Sequence, residues 1–93
     1  MKERKTAEVI SALEKKGFRL VREPNHKVYE LYVNGKKSGI NTWVSHGRHI
    51  ISKAILNKMA KQIKIDNKEF DNLIACPFSY EDLVAVLQKK QCL

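Results

Sequence analysis

The sequence predicts an α+β fold: a helix, three antiparallel strands, a second helix and then a helical tail. Three observations predict it. Apolar residues recur at helical period over residues 6–16 and 49–63. Between them lie three strand-like runs, residues 18–23, 27–33 and 39–45. Pro24-Asn25 and Asn34-Gly35 separate those runs as turn signals, and Asn-Gly is the strongest short hairpin signal. With 93 residues, one domain spanning 1–93 is expected, with a modest core that needs no metal or disulfide to hold it.

In residues 6–16, Val9, Ile10 and Leu13 make one apolar stripe. Thr6 is the expected cap. Lys15 and Lys16 suit the negative end of the helix dipole, and Gly17 supplies the left-handed residue that follows it. In residues 18–23, Phe18 and Leu20 alternate with Arg19, and Val21 with Arg22. Pro24 lacks a backbone donor and ends the pairing. In residues 27–33, the odd set Tyr29, Leu31 and Val33 is more apolar than the even set Val28, Glu30 and Tyr32, so the odd set is expected to face the core. His26 shares the parity of Glu30, which assigns it to the more open side.

Residues 39–45 alternate Ile40, Thr42 and Val44 with Asn41, Trp43 and Ser45. Residues 49–63 return to helical period, with Ile50, Ile51, Ala54, Ile55, Met59 and Ile63 as the expected apolar face and Lys53, Lys58, Lys61 and Lys64 mostly off it. Asp66 and Glu69 have capping-box spacing and open a short helix through Phe70, Leu73 and Ile74. Cys76-Pro77-Phe78 breaks it, and Ser79 caps a last helix through Leu83, Val84 and Leu87. Two helices flanking a three-stranded sheet cover one face and leave the other exposed. Such a layout suits a surface binder better than a deep-pocket enzyme.

The net charge of +8 is large for this size and points to a polyanion as partner. Residues 1–65 carry 15 Lys/Arg against five Asp/Glu, whereas residues 66–93 carry three against five. The basic character therefore belongs to the first two-thirds. Cys76 and Cys92 are far apart and form no Cys-x-x-Cys, so neither a redox motif nor a zinc ribbon is expected. The first residues lead into an amphipathic segment rather than an apolar signal region, and no run approaches membrane-spanning length. A cytoplasmic protein with reduced thiols and no membrane partner is the expectation.

Lys15-Lys16-Gly17-Phe18, then Leu20-Val21-Arg22, a turn ending in His26, an alternating strand, and a third strand ending Val44-Ser45-His46-Gly47 together resemble the HicA toxins. These are small RNA-cleaving members of toxin–antitoxin pairs. The resemblance spans about residues 6–75, leaving 76–93 as a helical extension. It implies a fold similar to a double-stranded RNA-binding domain, with both helices on one face of the sheet. It also implies a metal-independent mRNA interferase needing no cofactor, partnered by RNA and by a cognate antitoxin. The family's catalytic histidine lies in a Gly-Ser-His turn between the first two strands. Here that turn is Pro24-Asn25-His26, so His26 matches, and Asn25 replaces the serine with another small hydrogen-bonding residue. The third-strand end matches the family's Pro-x-His-Gly, with Val44 in place of proline.

Histidine suits metal-free RNA cleavage because it titrates near working pH and can take the proton of a 2′-hydroxyl. Cations then stabilise charge growing on the phosphate. Arg22 and Lys27 flank His26 in sequence and could hold that phosphate; Lys36 and Lys37 sit in the hairpin, where they could touch others. Among the aromatic residues that could stack on bases, Tyr29 shares the core parity, Tyr32 is the better surface candidate, and Trp43 fits either reading. His46 could be a second acid–base group, an RNA contact or a structural residue. The three-residue spacing of His46 and His49 does not make a zinc site without two more convergent ligands. There is no Gly-rich phosphate loop. Ser45 and His46 are neighbours on opposite strand faces, a poor geometry for a nucleophile and its base. The alternatives are a non-catalytic RNA-binding module of the same fold, or an interaction protein that docks through its tail.

Overall fold

A computed structural model of the chain describes residues 2–23, 26–45, 49–75 and 78–93. Its order is β1 (Arg4–Lys5), α1 (Thr6–Lys15), β2 (Phe18–Arg22), β3 (His26–Val33), β4 (Lys36–Ser45), β5 (Ile50–Ile51), α2 (Lys53–Ile63), α3 (Asn67–Ala75) and α4 (Tyr80–Lys89). The main sheet is antiparallel in the order β2-β3-β4, so the α+β class and the three-stranded sheet read from the sequence are present.

The start of α1 differs from expectation. Lys5, not Thr6, is the N-cap, and it makes no side-chain capping bond. A two-stranded ribbon replaces the cap: β1 pairs antiparallel with β5, and the Thr6 N–H donates to the His49 carbonyl at 2.8 Å. The ribbon thus satisfies a donor that a helix start leaves orphaned. At the other end, Gly17 has φ +93, the left-handed position its type favours.

The β3–β4 turn is Asn34-Gly35, with φ +54 and +78, as an Asn-Gly hairpin requires. Pairing resumes at once, so β4 begins at Lys36 rather than at residue 39. The intervening polar residues form a bulge between the Glu30↔Asn41 and Tyr32↔Lys37 pairs. The Ser38 hydroxyl donates to the Leu31 carbonyl at 2.7 Å and accepts from the Ile40 N–H at 3.1 Å. Gly39 takes φ +85 there, and its N–H donates to Glu30 Oε2 at 2.9 Å. A bulge with its own side-chain bonds carries no alternation signal, so the sequence pattern marks only the part of the strand beyond it.

The second predicted helix also starts later. Ile50 and Ile51 are strand, in keeping with their β-branched side chains, and Ser52 caps α2 by accepting from the Ile55 N–H. The later start shifts the buried face. Leu56, Met59, Ala60 and Ile63 are buried, while Ile50 and Ala54 are exposed. Lys53, Lys58, Lys61 and Lys64 are exposed, as expected. The predicted capping box forms, and the predicted Ser79 cap is itself a second one. Asp66 and Glu69 exchange bonds at 2.7 and 2.9 Å, and Ser79 and Asp82 exchange bonds at 3.1 Å.

One core cluster lies between the sheet and the helices. Phe18, Tyr29, Leu31, Ile40 and Val44 meet Val9 and Leu13 of α1, Leu56, Met59 and Ile63 of α2, Phe70, Leu73 and Ile74 of α3, and Leu83 and Leu87 of α4. At the outer edge of β4, one side chain of α2 bonds to the strand. Gln62 Oε1 accepts from the fully buried Thr42 hydroxyl at 2.7 Å and from the Trp43 N–H at 3.1 Å. Among the described residues no helix is long and apolar enough to cross a membrane.

Candidate nucleic-acid interface

Directly opposed residues of an antiparallel ladder project from the same face. Arg19↔Glu30↔Asn41 and Arg22↔Val28↔Trp43 are therefore two rows across the uncovered face. The extra β2 residue at Val21 brings Arg22 opposite Val28. Val28 belongs to the even set expected to be open, yet only 6% of it is exposed, as suits a small apolar side chain between Arg22 and Trp43.

His26 opens β3 opposite Ser45, one step beyond Val28 on the same face, and it is exposed. Trp43 is its diagonal neighbour, a position aromatic side chains can reach across. The two rings stack, with centroids 5.6 Å apart and planes 15° from parallel. Trp43 is 48% exposed although its backbone is fixed by Gln62. A second diagonal pair follows the same rule: the Arg19 guanidinium lies over the Tyr32 ring, 4.5 Å from its centroid. Glu30, between the two pairs, directs one carboxylate oxygen to the Gly39 N–H. The face thus carries cations and aromatic rings along its length.

The predicted residues do not all gather at His26. Arg22 does, on the neighbouring row. Lys27 lies opposite the buried Val44 and so on the helix-covered side of the sheet. Tyr32 and Lys37 share the open face but oppose each other six residues along β3, about 20 Å from His26. Lys36 opposes Val33, at that same distant end. Asn25 and His46 lie outside the described residues. Tyr29 is core, and burial pushes its phenol upward, with Glu14 and Glu23 adding to the shift. Among the described residues no three His, Cys, Asp or Glu side chains converge as metal ligands.

Two residues of this face escaped assignment from sequence. Trp43 is a stacking candidate in the sequence, but its parity alone does not show what it stacks on. Arg19 reads there as routine alternation. Neither pairing can be read without the strand register.

A family model described as HicA toxin of bacterial toxin-antitoxin matches residues 6–65. No curated protein and no solved structure matches the chain.

Proposed function

The chain belongs to the HicA toxin family of bacterial toxin–antitoxin systems, and on that premise we propose that it is a metal-independent endoribonuclease whose single proton-transferring histidine is His26. The observation that carries this reading is the exposed imidazole on the uncovered sheet face, with Arg22 on the adjacent row. In the proposed reaction His26 takes the proton of a ribose 2′-hydroxyl. That oxygen attacks the adjacent phosphorus to form a 2′,3′-cyclic phosphate, and the bond to the 5′ oxygen breaks, that oxygen taking a proton from water. General-base help of this kind is worth about 10²–10⁴-fold. Arg22 faces the phosphate whose charge grows during attack. Arg19, Tyr32 and Lys37 extend the contact along the strand. Asn25 and His46 would complete the contacts near the cut, and Lys36, at the far end of the edge strand β4, would meet a phosphate there, whereas Lys27 on the helix-covered side takes no part. The cognate antitoxin would cover this basic face and keep RNA from it.

The test is cleavage of a defined RNA in excess EDTA by wild type and by His26→Ala. Wild type is expected to cut and the variant to lose at least 10²-fold in rate while still binding. Equal rates would overturn the assignment of His26. Salt-dependent binding with no cleavage by wild type would instead support a non-catalytic RNA-binding module.

A further inference from the structure

We propose that Trp43 is the positioning residue for His26, holding the imidazole by stacking so that its edge meets the RNA; this rests on the reading of His26 as the proton-transferring group. His26 is exposed, and among the described residues no hydrogen bond is made by its ring. An imidazole in that situation would turn among its rotamers. The indole restricts it. Centroids 5.6 Å apart and planes 15° from parallel lie within the offset-stacked range of aromatic pairs.

The support is itself fixed. Trp43 stands between the buried Thr42 and Val44, and Gln62 of α2 holds both the Thr42 hydroxyl and the Trp43 N–H. A chain of contacts therefore runs from the core, through Gln62 and the β4 backbone, to the indole and on to the imidazole. Stacking occupies a face of the imidazole and leaves open the ring edge, which carries both nitrogens. Proton transfer from a 2′-hydroxyl needs that edge. The hairpin register, continued unbroken, would put Trp43 directly opposite His26; the two residues that the Ser38-Gly39 bulge adds to β4 make Ser45 the opposite residue and Trp43 the diagonal one.

The test compares Trp43→Leu, Trp43→Phe and His26→Ala in the full chain, using RNA cleavage kinetics and the NMR resonances of the His26 ring protons. Trp43→Leu is expected to lower kcat by about 10- to 100-fold, the scale set by misplacing a reacting group, with KM changed less than about twofold. Trp43→Phe, which keeps a stacking ring, is expected to recover most of the rate. Upfield ring-current shifts of the His26 protons should be present in wild type and Trp43→Phe and absent in Trp43→Leu. Wild-type kcat in Trp43→Leu would overturn the proposal, as would His26 protons without ring-current shifts in wild type. A raised KM at unchanged kcat would also overturn it, by making Trp43 an RNA contact. If His26→Ala is inactive and Trp43→Leu is not impaired, the positioning role alone falls. If His26→Ala cleaves like wild type, the catalytic reading falls, and the positioning role with it.

Discussion

Single residues decide where this small chain tolerates nothing else. Gly17 closes α1 with φ +93, and a Cβ built there would lie 2.6 and 2.8 Å from two ring carbons of Tyr80. Gly17→Ala therefore meets two penalties. A left-handed conformation costs an ordinary residue about 1–2 kcal/mol, and overpacking typically costs about 1–3 kcal/mol. A loss of about 2–4 kcal/mol is expected in urea unfolding. In a Tyr80→Ala background the overpacking part should vanish, leaving only the backbone part, so the two substitutions should couple strongly. Equal losses in both backgrounds would show that Tyr80 simply moves aside. The glycine was legible in the sequence as a helix stop. Its contact with Tyr80 was not, because those residues are 63 positions apart. The site shows the same division. His26 and Arg22 could be named from order and parity, whereas Trp43 depends on a bulge that shifts the register.

At the scale of elements, local signals were reliable where a segment satisfies its own backbone, and failed where a distant partner does so. The Asn34-Gly35 hairpin and both capping boxes are self-contained, and all three form. The β1–β5 ribbon joins residues about 46 positions apart, and no periodicity announces it. The edge of β4 is a second long-range arrangement. Without Gln62, the Thr42 hydroxyl is buried with no access to water, whereas the Trp43 N–H lies at an exposed edge where water can replace the bond. Most of the effect of Gln62→Leu should therefore come from Thr42. A destabilisation of about 1–3 kcal/mol is expected. Adding Thr42→Val, which removes the stranded hydroxyl, should restore part of it in thermal or urea unfolding. If Thr42→Val makes the Gln62→Leu protein still less stable, the hydroxyl is not the source of the loss.

At the scale of the whole molecule, the match to the family ends at residue 65, but the core does not. Phe70, Leu73, Ile74, Leu83 and Leu87 lie beyond the match, and none is more than 3% exposed. Full burial of such a side chain is worth about 1.5–3 kcal/mol. The five together supply roughly 8–15 kcal/mol, an upper value because unfolded chains already bury some apolar surface. The net stability of a domain is only about 5–15 kcal/mol. Polar contacts bind the same segments to the rest. Arg4 pairs with Asp71 at 2.7 Å, the Lys90 ammonium donates to the Lys64 carbonyl at 3.4 Å, and the Tyr80 hydroxyl donates to the Tyr32 carbonyl at 3.4 Å. A chain cut after Ile65 should therefore fail to fold, although it holds the whole matched segment and all the candidate site residues. The expected result is loss of NMR dispersion and of a cooperative thermal transition, with RNA cleavage lost as a consequence. A dispersed spectrum from residues 1–65 would show that α3 and α4 cover a core that closes without them. The apolar side of α4 is spent within the molecule, so a partner reaching this end must use its polar side, and removing the helix would test folding before it tested docking.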